Sequence, residues 1–190
     1  FVSAVPIRSV ADLEGKKVRS PEGLAAEVFR RAGAAPVGLP AAETYTSVDK
    51  GVVDAADFSS YTMNDSLGFQ QIAKYPIYPG IHSMPIIQFT VNKAAYDALD
   101  ESLQVMLDVW YQAMINDLRL RNDISDQELV ARDRADPNIE VIDWPQEERD
   151  KFRAMAQEAW SEYVAGDAVA ERALEVNIEF MKRVGLLSAE

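Results

Sequence analysis

A strand, a capped helix and a second strand follow one another within about thirty residues near the start of this chain, and that succession leaves few folds open. The charged turn Asp12-Leu13-Glu14-Gly15-Lys16-Lys17 leads into Val18-Arg19, a short strand that stops at Ser20-Pro21-Glu22-Gly23. Ser20 is a favoured N-cap, Pro21 suits a first helical position and Glu22 complements the positive helix end, so a helix is predicted to begin there. Leu24, Ala25, Val28, Phe29 and Ala32 recur at three- and four-residue spacing, and Gly33 supplies the stop. The segment Ala35-Pro36-Val37-Gly38-Leu39-Pro40 returns as the next strand. A βαβ unit crosses over right-handedly and starts a parallel sheet.

The pattern continues in the same sense. Thr44 or Thr46 is placed to cap a short helix that stops near Lys50-Gly51, and residues 52–58 read as another buried strand. Residues 61–69 suit a helix, residues 72–78 are strand-like, Pro79-Gly80 marks a turn, and residues 85–92 are the strongest strand signal of all. From Asp100 the period becomes helical, with Leu103, Leu107, Trp110, Met114 and Leu118 on one stripe, extending to about Arg134. Asp136-Pro137-Asn138 ends it, residues 139–144 alternate like a half-buried strand, and Pro145 opens a helix carrying Phe152, Met155, Ala159, Trp160 and Tyr163. A last helix runs through Val169, Ala173, Val176 and Phe180 after the break at Gly166-Asp167. Trp110, Trp144 and Trp160 are expected in the core. The predicted fold is α/β, a mostly parallel sheet over residues 1–80 wrapped by long helices from residue 100 onward.

Composition removes whole function classes. The 190 residues are 48% apolar and 26% charged, the balance of a folded chain, and no apolar run approaches the roughly 20 residues of a membrane-spanning helix. With 19 Lys and Arg against 31 Asp and Glu, the net charge of -12 opposes the counterion release that drives nucleic-acid binding. Zero cysteines exclude disulfides, thiolate metal sites and thiol nucleophiles, and the single His82 excludes multi-histidine metal sites.

Arg19 is the leading candidate for chemistry, because it ends a strand where a helix begins, and carboxyl ends of parallel strands are where open α/β sheets bind ligands. Residues 1–33 carry six basic and four acidic groups, a local positive excess in an acidic chain. The plainer reading is a surface arginine paired with a nearby glutamate. Asp57 and Phe58 end another predicted strand and would face the same crevice, although Asp57 would equally serve as the arginine's structural partner. His82 lies in a loop with no nucleophile-elbow motif around it, and the acidic runs at Glu147-Glu148 and residues 123–136 suit solvated helix faces.

The order of motifs adds a resemblance. Residues 12–19, then Gly33-Ala34-Ala35-Pro36-Val37, Glu43-Thr44-Tyr45, Gly51-Val52-Val53-Asp54-Ala55-Ala56, Leu67-Gly68-Phe69, Tyr78-Pro79-Gly80-Ile81-His82 and Asn92-Lys93 resemble the DctP-family extracytoplasmic solute-binding proteins of tripartite ATP-independent periplasmic (TRAP) transporters. The resemblance implies a periplasmic-binding-protein-like fold of two α/β lobes that close on a small organic acid, with a long helix across both. It implies periplasmic location, delivery of the acid to membrane permease subunits, and Arg19 as the group that binds the ligand carboxylate. Asp57, Phe58, Asn64, His82 and Ser83 join Arg19 as expected ligand-binding residues. The Tyr-Pro-Gly-x-His run is most similar to the subgroup binding 2-oxo or 2-hydroxy acids, some with a bridging metal. That subgroup reads Glu-Trp where this chain has Asp57-Phe58, and glutamate where it has Ser83. Losing that carboxylate removes a hard oxygen ligand, so neither a metal nor any other cofactor is expected.

Family members also begin with most of a first lobe that this sequence lacks. Residues 1–80 and 100–190 are therefore expected to form one lobe with interlobe helices, and residues 81–99 to contribute a hinge and strand to the other. Alone, the chain would either form a homodimer through the surface left bare or be the remnant of a longer protein. Two other function classes compete with a binding protein: an enzyme that holds a carboxylate on Arg19 with His82 or Asp57 as general base, and an interaction module assembled through the long helix.

Overall fold

The structure, a computed structural model, describes residues 1–81 and 89–187. Four short strands form one sheet, β1 (Val2–Ser3), β2 (Lys17–Arg19), β3 (Ala35–Val37) and β4 (Ala55–Ala56), in the order β1-β4-β2-β3. β2 pairs in parallel with both β3 and β4, whereas β1 runs antiparallel to β4. Helix α1 (Leu24–Arg31) joins β2 to β3, and α2 (Ala41–Asp49) joins β3 to β4. Because β3 and β4 flank β2 on opposite sides, two crossovers of the same hand lay α1 and α2 on opposite faces. The core divides accordingly. Successive strand residues point to opposite faces, so Ala55 joins a cluster with Val18, Phe29 and Trp144, and Ala56 joins a second with Val2, Val48 and Phe69.

The larger cluster is built on aromatic rings. Phe29 of α1 meets Phe152 of α7 (Gln146–Val164) at 5.5 Å, and Trp144 stands edge-on to Phe152 at 6.1 Å. The Trp144 Nε1–H donates to the Ile7 carbonyl at 2.8 Å, which satisfies the one polar atom of a fully buried indole. Arg149 is also buried, and its guanidinium donates to the Trp144 carbonyl, to Asp143 Oδ1 at 2.9 Å and to the Pro79 carbonyl at 3.2 Å. A buried charge is tolerable when it is paired and hydrogen-bonded in this way. Glu148, in the first turn of α7, accepts from the Val10 N–H at 2.9 Å and so ties the 3-10 turn Val10–Leu13 to that helix.

Helices α3 (Tyr61–Ser66) and α4 (Phe69–Ile72) follow β4, and α5 (Lys93–Asp97) precedes α6 (Glu101–Arg134), which is about 50 Å long at 1.5 Å per residue. The C-terminal part of α6 packs on α3 through a polar lock. The Tyr61 hydroxyl donates to Asp133 Oδ2 at 2.7 Å, Arg132 reaches Asp133 at 2.7 Å and Asp65 at 2.6 Å, and Asp126 accepts from the Thr62 N–H at 2.7 Å and hydroxyl at 2.5 Å. Burial and the Asp133 carboxylate together raise the Tyr61 phenol above its ordinary pKa, so it remains a hydrogen donor at any physiological pH. Helix α8 (Ala168–Arg183), capped by Asp167, packs on α7.

Several local expectations change for identifiable reasons. α1 begins at Leu24, not at Ser20-Pro21: the Ser20 N–H continues the sheet by donating to the Val37 carbonyl at 3.3 Å, and its hydroxyl donates to the Pro21 carbonyl at 3.2 Å instead of capping a helix. Gly23 makes the turn instead with φ 86°, while Gly33 closes the helix with φ 87°, where a Cβ would also collide with Glu14. Pro40, not Thr44 or Thr46, precedes α2, and the buried Thr44 hydroxyl donates back to the Pro40 carbonyl at 3.3 Å. The β4 ladder covers only Ala55–Ala56 of the expected residues 52–58. Segments 72–78 and 139–144 meet in a single parallel bridge, Ile77 to Ile142, and Ile72 ends α4. Residues 85–88 of the strong strand signal lie outside the described residues, and 89–92 form no strand.

The long-helix prediction holds for residues 101–134, but the helix does not wrap the lobe along its length. Trp110, expected in the core, is 46% exposed, and Leu103, Met106 and Val109 are exposed beside it; Phe89 stacks edge-on to Trp110 at 5.3 Å on the same bare surface. Trp144 is buried as expected and Trp160 is partly buried against the larger cluster.

Truncation of Phe152 to alanine should cost about 3–5 kcal/mol by leaving a cavity between Phe29 and Trp144, measurable by urea denaturation. Lys151 and the Val10 N–H hold Glu148 below its ordinary value of 4.5. A carboxylate depressed in the folded state adds stability above its unfolded pKa and loses it as pH falls through the folded one. The melting temperature of Glu148→Gln should therefore lie below that of the wild type at pH 7, and the gap should close between about pH 5 and pH 3.

Candidate functional site

The sheet order creates the site. The chain leaves β2 for α1 on one face and leaves β3 for α2 on the other, so the loops at the carboxyl ends of β2 and β3 diverge and leave a crevice between them. Arg19 is the last residue of β2 and stands at that point. Its Nε–H donates to the Leu39 carbonyl at 3.2 Å, just beyond β3, and Nη1 donates to the Asp57 carbonyl at 2.8 Å, just beyond β4. One guanidinium thus clasps the ends of both neighbouring strands. The ladder returns the contact, since the Asp57 N–H donates to the Arg19 carbonyl at 2.8 Å.

Two main-chain acceptors use two of the five N–H donors of a guanidinium, which leaves one on Nη1 and both on Nη2. Those three form the end-on fork that suits two carboxylate oxygens. Among the described residues no ion pair is seen for Arg19, so the expectation of an arginine paired with a glutamate gives way to one held by two main-chain carbonyl groups. The Phe58 ring lies 5.5 Å from the guanidinium carbon and is itself braced by Phe69 at 5.1 Å, which in turn touches Tyr45 at 5.5 Å. This aromatic stack supports the cation from the sheet side and limits its rotamers.

Arg19, Asp57 and Phe58 are therefore brought together. Among the described residues no hydrogen bond joins Asn64 to them: it is buried in α3, its Nδ2 donates to the Ser59 carbonyl at 3.2 Å, and its Oδ1 has no hydrogen-bond partner there. That bond shapes the turn leading away from Phe58. His82 and Ser83 lie outside the described residues.

A hollow of about 290 Å³ opens beside Arg19, lined by Ser20, Pro21, Glu22, Gly38, Leu39 and Pro40. A larger groove of about 550 Å³ adjoins it between α1 and α7, but its arginines are committed, Arg30 to Glu27 and Arg31 to both Glu27 and Glu162. The groove is thus closed by its own ion pairs, while the smaller hollow holds the open donors. Sequence reasoning missed Leu39 and Glu22 as members of the site. A loop carbonyl has no residue-type signature, and Glu22 reads first as a helix-end charge.

Three comparisons bear on this geometry. The family model for bacterial extracellular solute-binding proteins, family 7 (DctP), matches residues 1–167, and the chain belongs to that family. The open, ligand-free crystal structure of a TRAP periplasmic solute-binding protein from Rhodobacter sphaeroides is 42% identical, with a TM-score of 0.74 over 98% of this chain and 59% of that one. A TRAP periplasmic solute-binding protein from Pseudoalteromonas atlantica, with bound sodium and pyruvate, is 26% identical, with a TM-score of 0.72 over 100% of this chain and 60% of that one. The monocarboxylate 2-oxoacid-binding periplasmic protein of Nostoc sp. is 35% identical over 99 residues, 52% of this chain and 27% of that one. The chain thus spans about three fifths of the solved structures it matches. Family and fold are those of transport solute-binding proteins, not of enzymes.

Replacing Arg19 with alanine would release the Leu39 and Asp57 carbonyls together and should lower stability by about 1–3 kcal/mol, read as a reduced urea midpoint.

Proposed function

We propose that these residues form the carboxylate-anchoring lobe of a TRAP transporter receptor, which captures a small organic acid in the periplasm and delivers it to membrane permease subunits. The single observation that carries this reading is the guanidinium of Arg19, fixed by the carbonyl groups of Leu39 and Asp57 with three N–H donors to spare beside an open strand-end hollow. The named binding of 2-oxoacids and the bound pyruvate in two relatives support a monocarboxylate as the ligand class. Asp57 and Phe58 position the arginine, and His82 and Ser83, outside the described residues, are assigned as further ligand contacts.

In this reading residues 81–99 belong with a second lobe, and the bare apolar surface of Trp110, Met106, Val109 and Phe89 is assigned to it in preference to a second copy of the chain. An apolar face of that extent is stable in water only when covered. A second lobe also supplies affinity that one lobe lacks. A solvated ion pair contributes about 0–1 kcal/mol, whereas a dissociation constant near 1 μM needs about 8 kcal/mol.

A thermal-shift screen of small carboxylates on the full-length protein tests the reading, since a ligand that binds only the folded state raises the melting temperature with concentration. Arg19→Lys should weaken the best ligand at least about tenfold, because an ammonium lacks the planar fork. Unchanged affinity in Arg19→Ala by calorimetry would overturn the assignment. The same ligand should bind residues 1–190 alone far more weakly than the full-length protein; equal affinities would mean that one lobe holds the complete site.

A further inference from the structure

Glu22 is the second charged side chain of the hollow that holds Arg19. It makes no hydrogen bond or ion pair among the described residues, and neither does it pair with Arg19, although both line one small space. Its side chain is exposed to solvent and lies beside Gly38. A Cβ on residue 38 would stand 3.0 Å from Glu22 Oε1 and 3.3 Å from its Cγ, so the bare glycine at the end of β3 lets the carboxylate lie against the strand end. The hollow therefore presents a fixed cation and a carboxylate that form no ion pair with each other.

We infer that Glu22 is a specificity-determining residue, and that the site takes a carboxylate bearing an O–H or N–H donor next to the acid group, a 2-hydroxy or 2-amino acid, in preference to the matching 2-oxo acid. The inference rests on the carboxylate reading of Arg19 and deepens it. Arg19 takes the acid group while Glu22 accepts from the neighbouring donor. A 2-oxo acid offers Glu22 only a carbonyl oxygen, so acceptor faces acceptor and the negative charge repels the ligand. Discrimination then comes from repulsion of the wrong ligand as much as from attraction of the right one. A charge-assisted hydrogen bond of this kind corresponds to roughly 10- to 100-fold in affinity.

The test is calorimetric titration of full-length wild type, Glu22→Ala and Glu22→Gln with matched sets of 2-oxo, 2-hydroxy and 2-amino acids of three to five carbons. In the wild type the donor-bearing members should bind at least about tenfold tighter than their 2-oxo counterparts. Glu22→Ala should cross the two series, weakening the donor-bearing acids and tightening the 2-oxo acids, which general damage to the lobe cannot do. Glu22→Gln separates the two donors: it keeps hydroxyl binding, since the amide oxygen still accepts, but loses the attraction for an ammonium. Parallel weakening of every ligand in Glu22→Ala, or an unchanged ratio between series, would overturn the inference and leave the Arg19 reading standing. Failure of every acid to bind the wild type would overturn both.

Discussion

Everything at the candidate site depends on β2 having a parallel neighbour on each side. With β3 on one flank and β4 on the other, the chain must leave the sheet in opposite directions at the carboxyl ends, and main-chain carbonyls of Leu39 and Asp57 are left facing each other across the tip of β2. A long planar cation at that tip satisfies both. Arg19 is thus a structural clasp before it is anything else, and the donors it does not need for that task are the ones that point outward. Lysine in its place would satisfy fewer acceptors and hold no fixed orientation.

The two faces of the sheet divide the remaining work. On one, Phe29, Phe152 and Trp144 tie α1 to α7, and the buried Arg149 fastens the segments before and after Trp144 to the loop at Pro79. On the other, Tyr45, Phe69 and Phe58 form a short aromatic column that ends beneath the Arg19 guanidinium. Packing on the second face therefore has a direct consequence for the cation, whereas packing on the first fixes the lobe as a whole. The α3–α6 lock through Tyr61, Asp133, Arg132 and Asp65 adds a third anchor, holding the end of the long helix to this lobe while its N-terminal part stays bare.

The hollow beside Arg19 gains its character from small residues as much as from charged ones. Gly38 contributes by lacking a side chain, and Pro21 and Pro40 hold their loops with few torsional choices. A residue change at such loop positions can alter the hollow without disturbing the clasp, because Leu39 takes part in the clasp through its main chain alone.

The sequence by itself determined the βαβ start, the helix across residues 101–134, the burial of Trp144 and the place of Arg19 at a strand end, since each is written in local periodicity or in the residue types that bound a strand. It misjudged Ser20, whose backbone stays with the sheet and whose hydroxyl turns to the Pro21 carbonyl instead of capping a helix, and Trp110, whose apolar stripe is left uncovered. Both errors have one source: a local pattern states what a residue can do, and only its neighbours in space state what it does. Tertiary structure alone decided that β4 joins β2 opposite β3, that Arg19 is held by carbonyl groups rather than by a carboxylate, and that Gly38 makes room for Glu22. Those contacts join residues sixteen to thirty-eight positions apart, from Glu22 and Gly38 to Arg19 and Asp57, through main-chain atoms or a missing side chain, and neither leaves a signature in residue type.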